Sequence, residues 1–271
     1  MFIVRSNIVL SNVFKGLVLD WICTSQGNIR VTAADENGYM IHGIAVLSHT
    51  RILVADFTNN TLRLVDSVHG GVVSKLSLQG SPWRICLSAP GIAAVALKKE
   101  GLIQFIQVDS DTMSLICSIS VRGHIAGIAA MNNLLVVSYK SPDRVELISM
   151  EGQVLKMTYN IKEVFEYSYF MATSTDGFIF IANYGTNTIT QLDTNLRVVK
   201  TFTSPILRGP AGIVYVSPDQ MVVVGAETHN IVTLNTKNGT MSPLLGRADG
   251  LQDPWPGVLT QRRSSWAVPE K

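Results

Sequence analysis

The chain has 271 residues, of which 46% are hydrophobic and only 15% are charged, and its formal net charge is +2. The apolar content excludes a disordered chain, and the balance of 22 basic against 20 acidic residues excludes a polyanion binder that acts through its overall field. The cysteines Cys23, Cys86 and Cys117 form no CxxC pair. They predict neither a disulfide framework nor a thiolate zinc site, and they favour a reduced, cytoplasmic setting.

The N-terminal residues 1–26 match no repeat of the chain and are left unassigned. Their apolar stretches are interrupted by Arg5, Lys15 and Asp20, among others. No run therefore approaches the roughly 20 residues of a membrane span or the about 7–15 apolar residues of a signal peptide. We expect neither. The following segment, Gly27 to Asp35, has the composition of a single strand.

From residue 41 onward the sequence repeats itself with a period of about 42 residues. The equivalent positions, which are 41, 43, 43 and 42 residues apart, are Ile44, Ile85, Ile128, Met171 and Ile213. Each unit contains four short runs rich in Val, Ile and Leu, bounded by Asn, Gly, Asp, Ser and Pro. Such runs predict strands, and four strands in each repeat of this length predict an all-β fold, a β-propeller of four-stranded antiparallel blades.

The repeat count predicts a six-bladed type with five complete blades and an incomplete sixth. The propeller spans residues 27–259, and its blades begin near residues 41, 82, 125, 168, 210 and 254. Residues 260–271 form an irregular tail without a further apolar run. The segment from Pro254 to Leu259 supplies at most one strand of the sixth blade, and Gly27 to Asp35 is the candidate for its outermost strand. We therefore expect an imperfectly closed ring.

The pattern within each unit also predicts burial. The first two runs are almost entirely apolar, as in strands that are buried on both faces. The third run alternates, with Arg63 between two leucines, so we expect the outer strands of each blade to be wetter. Cys86 and Cys117 fall inside strand runs, and we expect both to be small buried hydrophobes.

Several segments resemble NHL repeats, in particular those of the propellers of tripartite-motif (TRIM) and TRIM-like proteins. These segments are His42 to Asp66, Pro82 to Leu87, Tyr184 to Asp193, Gly209 to Asp219 and Gly250 to Trp255. In that family a RING domain supplies ubiquitin-ligase activity, and the propeller recruits a protein or an RNA. This sequence contains no RING, B-box or coiled coil. The resemblance therefore implies a non-catalytic interaction module for a protein partner or ubiquitylation substrate, without a cofactor or metal of its own.

One repeat position, just before the innermost strand, carries aromatic side chains in several blades. The candidates for partner binding at this position are His42, Trp83, Tyr169 and Trp255. We expect this repeat position to surround one end of the central channel, where aromatic side chains contact a peptide or stack on an RNA base. The alternative is that the rings fill the mouth of the channel and pack blade against blade.

A basic sector is the second candidate surface. Lys98, Lys99, Lys140 and Arg144 lie in or beside the loops between the second and third strands of adjacent units, and Arg122 and His124 lie in the loop that enters the third unit. These loops should share one face of the propeller. The sector supports RNA binding as an alternative function, while a solvated charged rim is the simpler interpretation.

Asp56 and Asn183 end the second strand of their units and suggest a central metal, as in six-bladed lactonases and lyases. Only two of the five units carry such a side chain there. We therefore favour the alternative that they cap the following turn, with Asn60 and Asn187 in strained backbone. The sequence has no G-x-S-x-G elbow and no HExxH motif. A metal-dependent hydrolase or lyase is thus the least favoured function.

Overall fold

The computed structural model describes residues 8–15, 18–25, 40–48, 50–140, 142–158, 170–249, 251, 254 and 259–260. Tyr169, Trp255 and the predicted strand from Gly27 to Asp35 lie outside these ranges. Helical structure in the described ranges is a short 3₁₀ helix at Arg247–Asp249. Within them, no helix has the length and apolarity needed to cross a membrane.

The described strands form six sheets. The chain begins with the hairpin β1 (Ile8–Lys15) and β2 (Val18–Ser25). Blade one contains β3 (Ile41–Val46), β4 (Arg51–Asp56), β5 (Thr61–Asp66) and β6 (Val72–Ser77). Blade two contains β7 (Pro82–Ala89), β8 (Ile92–Leu97), β9 (Leu102–Val108) and β10 (Met113–Ser120). Blade three contains β11 (His124–Met131), β12 (Leu134–Lys140), β13 (Arg144–Ser149) and β14 (Val154–Met157).

The remaining blades follow the same plan. Blade four contains β15 (Phe170–Thr173), β16 (Ile179–Asn183), β17 (Thr188–Leu192) and β18 (Val198–Phe202). Blade five contains β19 (Pro210–Ser217), β20 (Gln220–Gly225), β21 (Asn230–Asn235) and β22 (Met241–Leu245). A last short strand is β23 (Leu259–Thr260).

Each blade is a four-stranded antiparallel sheet in which consecutive strands pair. The inner strands β3, β7, β11, β15 and β19 contact one another in that order, so the blades follow one another around a central channel. The prediction of a propeller with five four-stranded antiparallel blades is confirmed.

The N-terminal residues that the repeat analysis left unassigned contain the β1 and β2 hairpin. It forms a three-stranded sheet with the C-terminal strand in the order β2, β1, β23, in which β1 and β23 are parallel. Strand β23 contacts the inner strands of blade five and blade one, β19 and β3. Repeat matching missed the hairpin because its sequence does not follow the pattern of the blades.

The burial of the blades corrects two expectations. The third strands are mostly buried. Arg63 in β5 is only 1% exposed, because its guanidinium is hydrogen-bonded to Asp56 at the end of the second strand. The fourth strands are the exposed ones, as Val154 and Leu155 in β14 illustrate. Cys117 is exposed because it lies in the outermost strand, β10, and Cys86 is half-buried.

The strand register defines two ends of the propeller. Ile41 pairs with Asp56, Pro82 with Leu97, and His124 with Lys140. The start of each inner strand and the end of each second strand therefore lie at the same end, which we call the top face. The turns between the first and second strands, such as Pro90 and Gly91 in blade two, lie at the opposite end, the bottom face.

Candidate functional site

Three aromatic rings meet at the top face, where blades one and two adjoin. The ring of His42, at the start of β3, lies 4.1 Å from that of Trp83, at the start of β7, centroid to centroid, with the planes tilted by 41°. Phe57 follows β4 and contacts both, edge-on to His42 at 5.0 Å and to Trp83 at 6.0 Å. The rings form one continuous aromatic surface, because each contacts the other two.

Basic side chains lie over these rings. The ammonium nitrogen of Lys98 is 3.6 Å from the centroid of the Trp83 ring, and the guanidinium carbon of Arg84 is 4.6 Å from the same centroid. Lys99 lies 5.4 Å from the centroid of Phe57. Cations are attracted to the faces of aromatic rings, so these contacts stabilise the arrangement. We call these three basic residues, together with the three rings above, the aromatic–cationic cluster.

Arg84 anchors the cluster from below. It is only 9% exposed, and its Nη1 donates hydrogen bonds to the backbone carbonyls of His42 (2.6 Å) and Trp83 (2.9 Å). Its guanidinium carbon lies 4.3 Å from the ring centroid of Phe170 in blade four. Blade three lies between and carries Gly127 at the corresponding position, which contributes no side chain. Arg84 and Phe170 thus meet across the channel near the top face.

Trp83 also connects two blades. Its indole N–H donates a hydrogen bond of 2.9 Å to the carbonyl of Ala126 in blade three. The inter-blade packing that the sequence offered as an alternative for this position is therefore present at Trp83. The residue serves packing on one side and the aromatic–cationic cluster on the other. Tyr169 and Trp255, the other aromatic candidates, lie outside the described residues.

Burial and neighbouring cations together lower the pKa values of two side chains in the cluster. Burial, followed by the charges of Arg84 and Lys98, lowers the pKa of His42 to about 4, so this ring is neutral at pH 7. Burial, followed by the charges of Arg84 and Lys140, lowers the pKa of Lys98. Lys140 belongs to blade three, and its effect shows that the positive potential extends from the cluster onto the neighbouring blade.

The predicted basic sector is divided by the structure. Lys98 and Lys99 join the aromatic–cationic cluster, and Lys140 is exposed beside it. Arg144 instead pairs with Glu146 at 2.7 Å, stacks on Tyr139 at 3.9 Å and donates to the carbonyl of Arg122. The side chains of Arg122 and His124 are exposed. Burial and the Glu146 carboxylate raise the pKa of Tyr139 far above its ordinary value.

Asp56 and Asn183 have structural partners within their own blades. The Asp56 carboxylate accepts hydrogen bonds from Arg63 (2.8 Å) and from the side chain (2.8 Å) and backbone N–H (3.3 Å) of Asn59. Asn183 donates to the hydroxyls of Thr188 and Thr190. The left-handed backbone predicted for the next turn is confirmed, with φ of 51° at Asn60 and 56° at Asn187. No group of three or more metal-ligating side chains occurs among the described residues.

The channel contains a cavity of about 500 Å³ that extends toward the bottom face. Five equivalent inner-strand positions contribute to its lining: Ile44, Ile85, Ile128, Met171 and Ile213. They directly follow the positions of Arg84 and Phe170, so these two side chains lie above the cavity. Near the bottom face, Arg51 lines the cavity and pairs with Asp66 (2.9 Å) and Asp111 (2.8 Å). The five aliphatic positions offer no group for acid–base chemistry.

Sequence reasoning missed Phe57, Arg84 and Phe170. The last two carry a recognisable signal, because the repeat position after His42 holds Gly43, Gly127 and Gly212 in blades one, three and five. Arg84 and Phe170 replace this glycine in blades two and four. A large side chain where the repeat calls for glycine marks a position at which the blade fills the channel. Phe57 has no comparable signal.

Comparison with known proteins shows the fold. No protein-family model and no curated protein matches the sequence. Among solved structures, a streptogramin B lyase aligns with a TM-score of 0.62 and 14% identity over 76% of this chain and 68% of that chain. A catalytically inactive virginiamycin B lyase from Staphylococcus aureus with quinupristin gives 0.61 and 15% over 76% and 70%. A nidogen/laminin complex gives 0.62 and 12% over 78% and 82%. These likenesses support the β-propeller.

Proposed function

We propose that this propeller is a non-catalytic cytoplasmic interaction module that binds a protein partner at its top face. The observation that carries this proposal is the aromatic–cationic cluster. Aromatic and basic side chains brought together at one edge of a channel provide the large contact area and the directed charge that recur at the centres of protein interfaces. The cluster lies at the junction of two blades, so a partner bound there contacts both.

The chemistry of the top face supports binding rather than catalysis. Two of its carboxylates, Asp56 and Glu146, are buried and paired with Arg63 and Arg144, while Glu100 and Glu227 lie exposed in loops outside the aromatic–cationic cluster. His42 is neutral at pH 7 and packed against two rings. A general acid or base needs a group poised to exchange a proton with a substrate, and a cluster of rings and cations supplies none.

The resemblance to TRIM-like propellers extends the proposal to the partner. In those proteins the propeller recruits the protein that is to be ubiquitylated, and we propose the same recruiting role here, with the ligase chemistry supplied by a RING outside this sequence. The nidogen/laminin complex among the solved neighbours is consistent with a propeller of this shape in a protein assembly.

Site-specific photo-crosslinking in cells tests the proposal. A photoreactive amino acid replaces the exposed Lys99 on the top face or, as the matched control, the exposed Lys237 at the bottom face. We expect a protein adduct from position 99 that is absent from position 237 and is lost when Trp83→Ala is added. Adducts of equal yield at both positions refute the proposal. So does a Trp83→Ala chain that melts at a lower temperature but forms the same adduct.

A further inference from the structure

We infer that the aromatic–cationic cluster and the adjacent Lys140 bind an acidic peptide segment, whose carboxylates contact Lys98, Lys99 and Lys140. This inference rests on the proposed function, since it names the chemistry of the partner at that same surface. It follows from three features of the top face, namely the convergence of cations, their accessibility, and the occupation of the ring faces.

The first feature is the convergence of like charges. The Lys98 ammonium and the Arg84 guanidinium both lie within 5 Å of one indole centroid, at 3.6 and 4.6 Å. Lys99 covers the adjoining ring of Phe57. Like charges held this close raise the energy of the unliganded surface, and an anion placed among them lowers it. The lowered pKa of Lys98, caused by burial and then by Arg84 and Lys140, agrees with this view.

The second feature is a difference in accessibility among these cations. Arg84 is 9% exposed and its guanidinium is hydrogen-bonded to two backbone carbonyls, so its charge stays beneath the aromatic rings. Lys98 is half-buried, while Lys99 and Lys140 are exposed on blades two and three. The lysines therefore reach a ligand that lies across the two blades. An extended peptide fits this arrangement because its alternate side chains point the same way.

The third feature distinguishes an acidic peptide from RNA. Single-stranded RNA binds through bases stacked on open aromatic faces and through a groove of cations that follows the backbone. Here ammonium groups lie over the rings of Trp83 and Phe57. The guanidinium of Arg144, which would extend the groove, is paired with Glu146. A carboxylate interacts with an ammonium group through its N–H donors and needs no open ring face.

Fluorescence anisotropy with the full chain tests the inference. The probe is a fluorescein-labelled peptide, Gly-Glu-Glu-Leu-Glu-Glu-Gly. Its counterpart with glutamine for every glutamate and a labelled uridine decamer are the comparison ligands. We expect the glutamate peptide to bind at least about tenfold more tightly than the glutamine peptide, and Lys98→Gln to weaken it about tenfold, as for the loss of one charge-assisted contact. Lys237→Gln at the bottom face is the matched control and should bind normally.

Three other results would overturn the inference. Equal binding of the two peptides refutes the requirement for carboxylates, and an unchanged affinity in Lys98→Gln refutes the site. Tighter binding of the uridine decamer that is lost in Lys98→Gln assigns the surface to RNA. If Lys98→Gln does not fold, Lys140→Gln provides the same measurement at an exposed residue. Failure here together with a Trp83-dependent adduct at position 99 leaves the proposed function standing, whereas loss of both removes both.

Discussion

The buried ion pair of blade one gives the sharpest test of how the top face is stabilised. Arg63 and Asp56 are 1% and 0% exposed, and their Nη2 and Oδ2 atoms are 2.8 Å apart. Arg63→Met keeps most of the side-chain volume but leaves the carboxylate buried without its cation. Removing one member of a buried pair costs about 3–5 kcal/mol. Asn59 still donates two hydrogen bonds to Asp56, so we expect a loss of about 3 kcal/mol, at the lower end of that range.

A double variant separates the charge from the packing. Asp56→Leu combined with Arg63→Met removes both charges, and Leu97 shows that blade two accommodates leucine at the position of Asp56. Replacing both members of a buried pair by apolar residues is often neutral. The turn loses the cap that Asp56 provides, so we expect the double variant to be about 1 kcal/mol less stable than the wild type. The two substitutions should therefore be strongly non-additive.

Guanidinium denaturation followed by circular dichroism measures these free energies of unfolding. We expect a lower midpoint at unchanged slope for Arg63→Met, and a melting temperature lower by about 6–12 °C for a chain of this size. Asp111→Asn is the control, because it breaks the Arg51 ion pair at a residue that is 62% exposed and should cost at most about 1 kcal/mol. The reasoning is refuted if Arg63→Met costs no more than this control, or if the double variant is as unstable as the sum of the single ones.

Three further predictions concern the same molecule. Gly43→Ala places a methyl group 2.9 Å from the side chain of Ile85, so its denaturation midpoint should fall by the equivalent of about 1–3 kcal/mol, whereas Gly246→Ala meets nothing within 4 Å and should be unaffected. His42 has a pKa of about 4 in the folded chain and about 6.5 in the unfolded chain, so between these values the unfolded chain binds more protons. The free energy of unfolding should therefore fall as the pH drops from 6.5 toward 4. His42→Phe should remove this contribution to the pH dependence, as measured by urea titrations. Millimolar calcium should raise the melting temperature no more than magnesium does, because the Asp56 carboxylate is already bonded, and stabilisation at micromolar calcium would contradict this.

The blades were predictable from the sequence because every unit repeats the same runs with the same turn residues. The polar interior was not, because polar and apolar residues that alternate along a strand ordinarily indicate one solvent-exposed face. Arg63 follows Asp56 by seven residues, and Thr190 follows Asn183 by seven. In both hairpins, this spacing places a polar side chain of the third strand beside the end of the second strand, where the two side chains form a hydrogen bond. The partner, rather than water, satisfies it.

The N-terminal hairpin and the cation contacts were beyond such reasoning for different reasons. The pairing of β1 with β23 joins the two ends of the sequence, and no local pattern specifies which distant strand a hairpin meets. Lys98 and Arg84 contact the Trp83 ring of their own blade, and sequence spacing does not specify the side-chain conformers that make these contacts. Sequence spacing placed Lys98 on the correct face, but only coordinates show that its ammonium group lies over Trp83.

Departures from the repeat build the candidate site, and this explains why it is confined to part of the ring. Blades three and five follow the repeat at this point, with Ala126 and Ala211 each followed by glycine. At these two positions, bulk and charge enter where blades one, two and four replace the alanine or the glycine. Arg84 reaches Phe170 because the blade between them kept its glycine. The backbone hydrogen bonds within each blade do not depend on these side chains, so the top face can acquire an asymmetric cluster while each sheet stays regular. In the proposed complex, the partner would meet cations on one side of this face only, and this asymmetry would set its position relative to the blades.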